Sequence, residues 1–355
     1  MRRFSALGAI AVAAWLAGGA TARAAQDRGA FEIVDSLGRK VTVPGKVDRV
    51  ISLSPEATRV IVALGAGDKL VGIDFFLRHH DHVFPLIFPP GARLPVVSNQ
   101  GQDLHYEEAV RLRPDLVIAS PSEAWSADTM AKKLKAPVAA LASLGRLTDL
   151  FNEIGLLGRM LGREDRAAEL AAYLRARLDE AARPGPAGGP GTGPKVYLSF
   201  WGSLVRTPVS YEPVEAAGGR NVASGLVSER LGTAALTVSL EQLYVWDPDI
   251  ILIQGNYPPD ERRVTIEGVL RDPRLASLRA VRDGRVHYTF GFWYWWDPAL
   301  VVIETLYLAR LFAGEEAPSA ELVELGDEVY RDVYGVEGAF SAICRELACH
   351  AWTKR

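Results

Sequence analysis

Short, continuous apolar runs separated by polar or glycine- and proline-containing segments recur along both halves of the chain. The runs occupy residues 50–53, 70–73, 95–97 and 116–119 in the first half, and 195–199, 250–253 and 286–288 in the second. A continuous apolar run predicts a parallel strand that is covered on both faces. Helical patterns such as 56–64 lie between these runs, and such alternation is typical of βαβ units. The pattern therefore predicts an α/β fold with two lobes built on parallel-type sheets.

The two predicted lobes contain a repeated segment. Residues 106–118 and 240–252 each have the pattern of a short helix, a Pro-Asp turn and a buried strand. Three residues match at a constant offset of 134, namely Glu107 with Glu241, Pro114 with Pro248, and Asp115 with Asp249. A helix is expected to end near the residue that precedes each proline. The match indicates two related lobes, although this arrangement is common enough for the similarity to be coincidental.

A long amphipathic helix is predicted between the lobes. Over residues 148–183, apolar residues recur at spacings of mostly three to four, and Gly162 marks a point at which the helix can break. The run 184–194 consists mostly of glycine and proline, which predicts an exposed loop, with a hinge as the alternative. We expect the helix to be the strut, because a helix can pack on both lobes. The predicted organisation is a signal peptide at 1–24, an N-terminal lobe at 25–147, the connecting helix at 148–183, the loop at 184–194, a C-terminal lobe at 195–314 and a C-terminal helical tail at 315–355.

The first 24 residues have the pattern of a secretory signal peptide. Two arginines precede an alanine-rich apolar run, and Ala22-Arg23-Ala24 offers small residues for cleavage. An uncleaved membrane anchor is the alternative. The full chain carries 40 basic and 43 acidic residues, and cleavage would remove three arginines and change the net charge from −3 to −6. The signal peptide predicts a periplasmic location. The sequence has no basic stripe, so we do not expect the chain to bind nucleic acid.

Five short motifs resemble those of a known protein family. They are RVISLSPEAT at 49–58, LGAGDKLVG at 64–72, EEAVRLRPDLVI at 107–118, GGRNV at 218–222, and SLEQL at 239–243 followed by Pro248-Asp249. Together with the signal peptide, the two lobes and the connecting helix, they resemble the substrate-binding proteins of ABC importers. The resemblance is to the class with a single helical backbone, which serves siderophores, haem and cobalamin. It implies a ligand cleft between the lobes and an ABC permease of the inner membrane as partner, and we expect a monomer.

The resemblance also implies a docking role for two glutamates. In this family, one acidic residue on each lobe contacts arginines of the permease, and by motif position these are Glu107 and Glu241. Two carboxylates at equivalent points could orient the protein on a dimeric permease by charge-assisted hydrogen bonds. The alternative is a pair of solvated glutamates favoured by the helix dipole. The chain departs from the family at Arg59, where glutamate often stands, and we expect this arginine to change the local surface charge.

Residues that directly follow the strands are candidates for ligand binding, because ligands of open α/β sheets bind beyond the carboxyl ends of the strands. The predicted contacts are Ser54, Asp74, Phe75, Arg78, Asn99, Gln100 and Trp125 in the N-terminal lobe, and Trp201, Arg206, Asn256, Tyr257, Trp293, Tyr294, Trp295 and Trp296 in the C-terminal lobe. The run 292–296 would give rigid aromatic surface for a planar ligand or a cation, or alternatively a core cluster that seals the sheet. Arg78 and Arg206 could neutralise an anionic chelate, or lie on the surface.

A histidine cluster is a candidate metal site. His79, His80 and His82 are three of the six histidines in the chain. Imidazole groups can bind a transition metal. A polar cleft edge without metal is the stronger alternative, because no HExxH or CxxC motif supports the site.

The two cysteines are candidates for a disulfide. Cys344 and Cys349 lie five positions apart in a helical pattern, so a disulfide between them would require a break in the helix. Export to an oxidising compartment favours such a bond.

These observations favour a receptor that captures an iron chelate, such as a siderophore or haem, or a corrinoid-type ligand, and delivers it to an ABC permease. The alternative is the same scaffold carrying a free metal ion or an oxyanion such as molybdate. A chelatase-like enzyme is less favoured, because no GxSxG, P-loop or zinc signature is present. We expect no cofactor, and a metal chelate as cargo.

Overall fold

A computed structural model describes the chain at residues 29–99, 103–120, 126–141, 146–182, 193–226, 235–291, 297–315 and 318–352. Two four-stranded parallel sheets form the centres of two lobes, and helices cover them. Within the described residues, no helix combines the length and the apolar character needed to cross a bilayer. The predicted α/β fold with two lobes is confirmed.

The N-terminal lobe is built on a sheet with the strand order β4-β3-β5-β6. Its elements are the hairpin strands β1 (Phe31–Val34) and β2 (Lys40–Val43), then β3 (Val50–Ser52), α1 (Pro55–Ala63), β4 (Leu70–Ile73), α2 (Phe75–His79), α3 (Phe84–Ile87), α4 (Tyr106–Arg111), β5 (Leu116–Ala119), α5 (Ala127–Leu134) and β6 (Val138–Ala140). Strands β3 and β5 are buried at every position, as expected for strands covered on both faces. The predicted strand at 95–97 is wrong, since Val96 forms only a single parallel bridge with Ile73 and Pro95 has no N–H to donate.

Two helices, α6 (Leu147–Leu161) and α7 (Glu164–Ala182), connect the lobes. Helix α6 ends at Gly162, which adopts the left-handed conformation with a φ of 65°. The helices pack so closely that a Cβ on Gly158 would lie 2.4 Å from the Cβ of Ala167. Helix α6 packs on α1, whereas α7 packs on the C-terminal lobe. The predicted strut is therefore divided at Gly162 into two helices, one on each lobe.

Arg166 in α7 joins the ends of two other helices. Its Nε donates to the carbonyl of Ala63 at 3.2 Å, at the end of α1. Its Nη2 donates to the carbonyls of Asp332 at 3.0 Å and Val333 at 2.9 Å, near the end of a helix close to the C-terminus. A cation at a helix C-terminus satisfies carbonyls that have no partner within the helix and interacts favourably with the helix dipole. Arg166 therefore links the connecting helices to both lobes.

The C-terminal lobe is built on a sheet with the order β12-β11-β7-β9, beside an antiparallel pair of β8 and β10. Its elements are β7 (Lys195–Ser199), β8 (Arg206–Pro208), α8 (Glu212–Ala216), β9 (Arg220–Asn221), β10 (Ala235–Thr237), α9 (Leu240–Trp246), β11 (Ile250–Gln254), α10 (Ile266–Arg271), α11 (Arg279–Arg282), β12 (Val286–Thr289) and α12 (Pro298–Phe312). Strand β11 lies between β7 and β12 and is buried at every position. Helix α7 packs on α12.

The repeated segment folds in the same way in both lobes. In each lobe the helix is followed by a residue in the left-handed conformation directly before the Pro-Asp turn, namely Arg113 with a φ of 43° and Asp247 with a φ of 40°. The turn aspartate then binds the backbone at or near the start of a neighbouring strand. Asp115 Oδ2 accepts the N–H of Arg49 at 2.9 Å, and Asp249 Oδ2 accepts the N–H of Lys195 at 2.8 Å. The two segments are thus structural equivalents.

The C-terminal segment packs on the C-terminal lobe. It contains α13 (Ala320–Tyr334), which packs on α12, and α14 (Ala339–Glu346), which packs on α13. Trp352 is 4% exposed, and its ring centroid lies 4.7 Å from that of Phe290 and 5.6 Å from that of Tyr288. Trp352 therefore covers the carboxyl end of β12.

Candidate ligand-binding cleft

A cavity of about 650 Å³ opens at the carboxyl ends of β7 and β11. Its lining combines aromatic rings with three arginines and two carboxylates, and consists of Ser199, Trp201, Gly202, Arg206, Ile253, Gln254, Tyr257, Asp260, Glu261, Arg262, Arg263 and Val264. Three of the predicted contacts, Trp201, Arg206 and Tyr257, are brought together here. The cavity lies where open α/β sheets bind their ligands, and its volume is typical of pockets for drug-sized molecules.

Trp201 and Arg206 form one wall of this cavity. The guanidinium carbon of Arg206 lies over the Trp201 ring, 5.2 Å from its centroid, which is a cation–π arrangement. The carbonyl of Arg206 accepts the backbone N–H of Phe200, the residue before Trp201, at 2.9 Å. This backbone bond holds the segment of Trp201 next to that of Arg206. A guanidinium stacked in this way can still donate hydrogen bonds in its own plane, for example to a carboxylate. The wall therefore suits a ligand with both a flat apolar part and an anionic group.

Arg262 fastens the loop after β11 to the C-terminal segment. Its Nε donates to the carbonyl of Tyr257 at 3.0 Å, and its Nη2 donates to the carbonyls of Gly255 at 3.2 Å and Leu347 at 2.5 Å. The guanidinium also lies over the ring of Tyr288, 4.4 Å from the centroid. Arg262 is therefore a structural part of the cavity wall.

The N-terminal lobe contributes two carboxyl groups at the ends of β3 and β4. Ser54 caps α1 by accepting the N–H of Ala57 at 3.2 Å, and its hydroxyl donates to Glu56 at 3.2 Å. Asp74 caps α2 by accepting the N–H of Leu77 at 3.0 Å. Burial raises the pKa of Glu56 to about 8 and the pKa of Asp74 to about 7. At neutral pH this side of the cleft is therefore less negative than its composition suggests.

A buried ion-pair network joins the two lobes. Arg59 Nε donates to Asp81 Oδ2 at 3.0 Å, and its Nη2 donates to Asp81 Oδ1 at 2.5 Å. Arg59 Nη1 also lies 3.6 Å from Oδ2 of Asp297. The hydroxyl of Tyr330 donates to this Oδ2 at 3.1 Å, and the hydroxyl of Tyr334 donates to Oδ1 of Asp297 at 3.0 Å. Arg59 is 2% exposed, so the expectation that it changes the surface charge is wrong. Its charge is balanced inside the protein, between an aspartate of each lobe.

A second, smaller cavity of about 40 Å³ lies beside this network, between the lobes. Residues of the C-terminal segment form part of its wall, including Ile343, Glu346 and Leu347. Glu346 Oε1 lies 2.6 Å from Nδ1 of His82 in the N-terminal lobe. The Oδ1 atom of Asn256 is buried and has no hydrogen-bond partner among the described residues. This predicted contact therefore has an acceptor available for a ligand or a water molecule.

Two predicted contacts of the N-terminal lobe serve the lobe itself. Arg78 Nη2 donates to the carbonyls of Gly91 at 3.0 Å and Leu94 at 2.5 Å. Asn99 Oδ1 accepts the N–H of Asp103 at 3.0 Å. These bonds give Arg78 and Asn99 local structural roles.

The structure does not group the side chains of the three histidines as a set of metal ligands. His79 and His80 are exposed beside Phe75, with ring centroids 4.4 and 5.8 Å from its ring, whereas His82 pairs with Glu346. In the part of the chain that the structure describes, no three His, Cys, Asp or Glu side chains are grouped closely enough to hold a metal ion. The polar cleft edge is therefore the better interpretation of this cluster.

Several predictions fall outside the described residues. They concern the signal peptide at 1–24, most of the loop at 184–194, and the contacts Gln100, Trp125, Trp293, Tyr294, Trp295 and Trp296. The aromatic run is flanked in the described structure by Gly291 and Asp297, which are both buried.

Glu107 and Glu241 occupy equivalent positions on α4 and α9. Both face solvent, and the Glu107 side chain is 94% exposed. Hydrogen bonds from its own backbone N–H and from Ser239 lower the pKa of Glu241. Three residues further along, Val110 and Tyr244 are 45% and 40% exposed. Each lobe therefore presents a carboxylate next to an apolar side chain on the same helical face.

Cys344 and Cys349 are buried free thiols. Helix α14 ends between them, where Ala348 adopts a φ of 48°, so the helix break that a disulfide requires is present. Burial and a hydrogen bond with Cys344 raise the pKa of the Cys349 thiol, which keeps it protonated. The disulfide stays a prediction.

Two parts of the site were not predicted from the sequence. Gln254 is one of them, and the signal that could have identified it is a polar residue at the end of an apolar strand. The cleft wall formed by residues 343–347 has no such signal, because only the path of the C-terminal helices brings this segment to the N-terminal lobe.

The structure is that of a two-lobed binding protein. Each lobe has a parallel sheet, packed helices link the lobes, and cavities lie at the strand ends and between the lobes. The family model described as "Periplasmic binding protein" matches residues 50–290, which is more than half of the chain. The chain therefore belongs to the periplasmic binding protein family, whose relatives serve as components of ABC transporters.

Similar proteins differ in what they bind. The chain is 23% identical over 328 residues to the molybdate-binding protein MolA of Haemophilus influenzae, covering 85% of this chain and 90% of MolA. It is 25% identical over 221 residues to a cobalamin-binding protein of Halobacterium salinarum, covering 61% of this chain and 57% of that protein.

Solved structures show the same fold. MolA bound to molybdate has a TM-score of 0.69 at 20% identity, covering 86% of this chain and 98% of that one. Helicobacter pylori CeuE with Ni(II) bound has a TM-score of 0.68 at 18% identity, covering 88% of this chain and 99% of that one.

Proposed function

We propose that this protein is the substrate-binding protein of an ABC importer and captures an anionic metal chelate or a corrinoid-type ligand. The ligand would bind at the carboxyl ends of the strands and be delivered without covalent change to the permease. The cavity beside β7 and β11 carries the proposal. Its volume of about 650 Å³ and its stacked Trp201–Arg206 wall suit a large ligand with flat and anionic parts.

The relatives support this proposal to different degrees. One relative is named a cobalamin-binding protein, and a structural neighbour is a haem-binding protein with a TM-score of 0.54. The ligands named for those two proteins are large, and the cavity of this protein has room for a large chelate. Iron siderophores remain part of the proposed ligand class because of the motifs in the sequence.

Molybdate is a second candidate ligand. MolA is similar over most of both chains, and it is a molybdate-binding protein. The arginines of the cavity offer donors for an oxyanion. The volume of the cavity favours the larger ligand, because a small oxyanion would leave much of it to water.

A ligand panel separates these candidates. The purified protein would be titrated with cyanocobalamin, haemin, a ferric catecholate siderophore and sodium molybdate, with tryptophan fluorescence and calorimetry as readouts. We expect one-to-one binding of a chelate or corrinoid, and Arg206→Gln should weaken binding of an anionic chelate by about tenfold, since it removes a charged donor. Arg271→Gln is the matched control, because Arg271 is exposed and pairs with Glu267 on α10.

The outcomes are distinct. Binding of molybdate alone would select the second candidate. Binding of none of the four compounds would contradict the proposed function.

We also propose that Glu107 and Glu241 contact basic residues of the permease. Their support is the structural equivalence of α4 and α9, each of which exposes a carboxylate and an apolar side chain. Two equivalent patches on one chain fit a partner with two equivalent subunits. The double variant Glu107→Ala/Glu241→Ala should bind ligand normally but fail to stimulate ATP hydrolysis by the cognate importer in proteoliposomes.

The control for docking is a pair of exposed glutamates at other positions. Glu169→Ala/Glu267→Ala removes the same charge from α7 and α10, where the side chains are 70% and 66% exposed. We expect normal stimulation from this variant. Equal loss in both double variants would show that net charge, and not the two docking positions, is responsible.

The proposed location is the periplasm, reached through cleavage of the signal peptide at 1–24. The supporting observations are the signal pattern in the sequence and the family to which the chain belongs. N-terminal sequencing of the exported protein should find a mature chain that begins near residue 25, and an intact first segment would contradict cleavage.

A further inference from the structure

Trp201 has an unusual backbone conformation. Its φ is 55°, in the left-handed region, and Gly202 follows with a φ of 63°. A bulky residue in this region is strained, so the surrounding structure must hold it there, whereas glycine would adopt the same conformation readily. A tryptophan at this position therefore indicates a requirement for its side chain.

Gln254 makes a hydrogen bond to the backbone of Trp201. It is the last residue of β11 and is 4% exposed. Its Oε1 accepts the backbone N–H of Trp201 at 2.7 Å, and its Nε2 donates to the carbonyl of Gly291 at 3.4 Å. One buried amide at the end of β11 thus joins the segments that follow the two neighbouring strands, β7 and β12.

The position of the Trp201 ring depends on this backbone. The ring packs edge to face on Phe200, with centroids 5.7 Å apart, and carries the guanidinium of Arg206 over it. Ring and guanidinium both line the larger cavity. A change in the backbone at Trp201 would therefore move both groups.

We propose that Gln254 is a positioning residue of the binding cleft, which holds Trp201 in the left-handed conformation and so sets the Trp201–Arg206 wall against the ligand. This inference rests on the proposed function in placing the ligand at that wall. A primary amide is suited to the position, because it accepts from one backbone group and donates to another. Glutamate can replace the acceptor alone, and methionine replaces neither.

The test compares Gln254→Met with Gln254→Glu. The readouts are the hydrogen-exchange rate of the Trp201 amide and the dissociation constants for cyanocobalamin, haemin, a ferric catecholate siderophore and molybdate. In Gln254→Met we expect exchange at Trp201 to be at least about tenfold faster, and affinity for whichever probe binds the wild-type protein to be about tenfold lower. Gln254→Glu should keep slow exchange and most of the affinity, since its carboxylate still accepts the N–H of Trp201.

Asn221→Leu is the matched control. Asn221 is 1% exposed in the same lobe, and its amide likewise accepts one N–H, from Ala223 at 2.9 Å, and donates to one carbonyl, that of Pro208 at 3.4 Å. It does not line the cavity. Its loss should lower stability without changing exchange at Trp201 or the affinity.

Three results would overturn the proposal. They are wild-type exchange at Trp201 in Gln254→Met, faster exchange with unchanged affinity, and an equal loss of affinity in Asn221→Leu. If Gln254→Met does not fold, the Gln254→Glu variant is the test. Its carboxylate keeps the acceptor, so fast exchange at the Trp201 amide in this variant would contradict the proposed role of Gln254. If none of the probes binds the wild-type protein, the proposed function fails, and the exchange rate alone decides whether Gln254 holds Trp201.

Discussion

Replacement of Arg59 by methionine should strongly destabilise the protein. The substitution keeps a long side chain but removes the guanidinium that lies between Asp81 and Asp297. Each aspartate retains other hydrogen bonds, for example from the N–H groups of Val83 and Phe84 to Asp81 at 2.8 and 2.9 Å. Both carboxylates would then be buried without a positive charge beside them.

The magnitude follows from the geometry. The guanidinium nitrogens lie 2.5 Å from an Asp81 oxygen and 3.6 Å from an Asp297 oxygen. At an effective dielectric constant of about 20, unit charges about 4 Å apart interact by about 4 kcal/mol. Removing one partner of a buried pair costs about 3–5 kcal/mol, because the other charge stays buried. We therefore expect the free energy of unfolding to fall by about 3–5 kcal/mol at neutral pH.

The loss should depend on pH in a defined direction. Burial raises the pKa of Asp297 even with Arg59 beside it, and loss of the guanidinium would raise it further. The folded variant then binds more protons than the unfolded chain, so its stability falls as the pH rises towards the folded pKa. The deficit relative to the wild-type protein should therefore be smaller at about pH 5 than at about pH 8.

Urea unfolding followed by circular dichroism at both pH values measures this effect. Arg274→Met is the control, because Arg274 also contacts its aspartate partner, Asp272, at 2.7 Å but is exposed to solvent that screens the pair. We expect little change in the control at either pH. A loss in Arg59→Met no larger than in the control, or an equal loss at both pH values, would refute the reasoning.

Three further predictions concern other parts of the fold. Gly158→Ala should lower the stability by about 1–3 kcal/mol, because its Cβ would overlap the facing helix. Gly155→Ala, with open space around its Cβ, should raise the stability by about 0.5–1 kcal/mol, and urea unfolding compares the two. Burial raises the pKa of Glu304 from 4.5 to about 7, so the free energy of unfolding should fall as the pH rises through this interval. In Glu304→Gln, urea unfolding at several pH values should show a weaker dependence of this free energy on pH over the same interval. Cys344 and Cys349 should not react with a thiol reagent in the native protein, because they are buried. In denaturant without reductant, absence of reaction would support the predicted disulfide, and reaction of both cysteines would contradict it.

The sequence by itself determined the local structure and its repetition. Continuous apolar runs predicted buried parallel strands such as β5, and the proline of each Pro-Asp turn predicted where α4 and α9 end. The burial of a strand and the end of a helix act on the type of each residue in that segment, so the local pattern records them even where the pairing partners lie far apart in the chain, as β5 and β3 do. The same reasoning placed Trp201 and Tyr257 after the strand ends, where the cavity is found.

Only the tertiary structure decided which side chains meet. Arg59 looked like a surface residue, but its helix brings it between two aspartates that lie 22 and 238 positions further along the chain. Arg78 is predicted as a ligand contact, and only the structure shows that its Nη2 donates to two nearby carbonyls of its own lobe. Glu346 reaches His82 only because the last helices fold back over the C-terminal lobe. The periodicity of a sequence indicates which face of an element is buried, but it carries no information about the residues that pack on that face. Those residues determine whether a charged side chain binds a ligand or stabilises the fold.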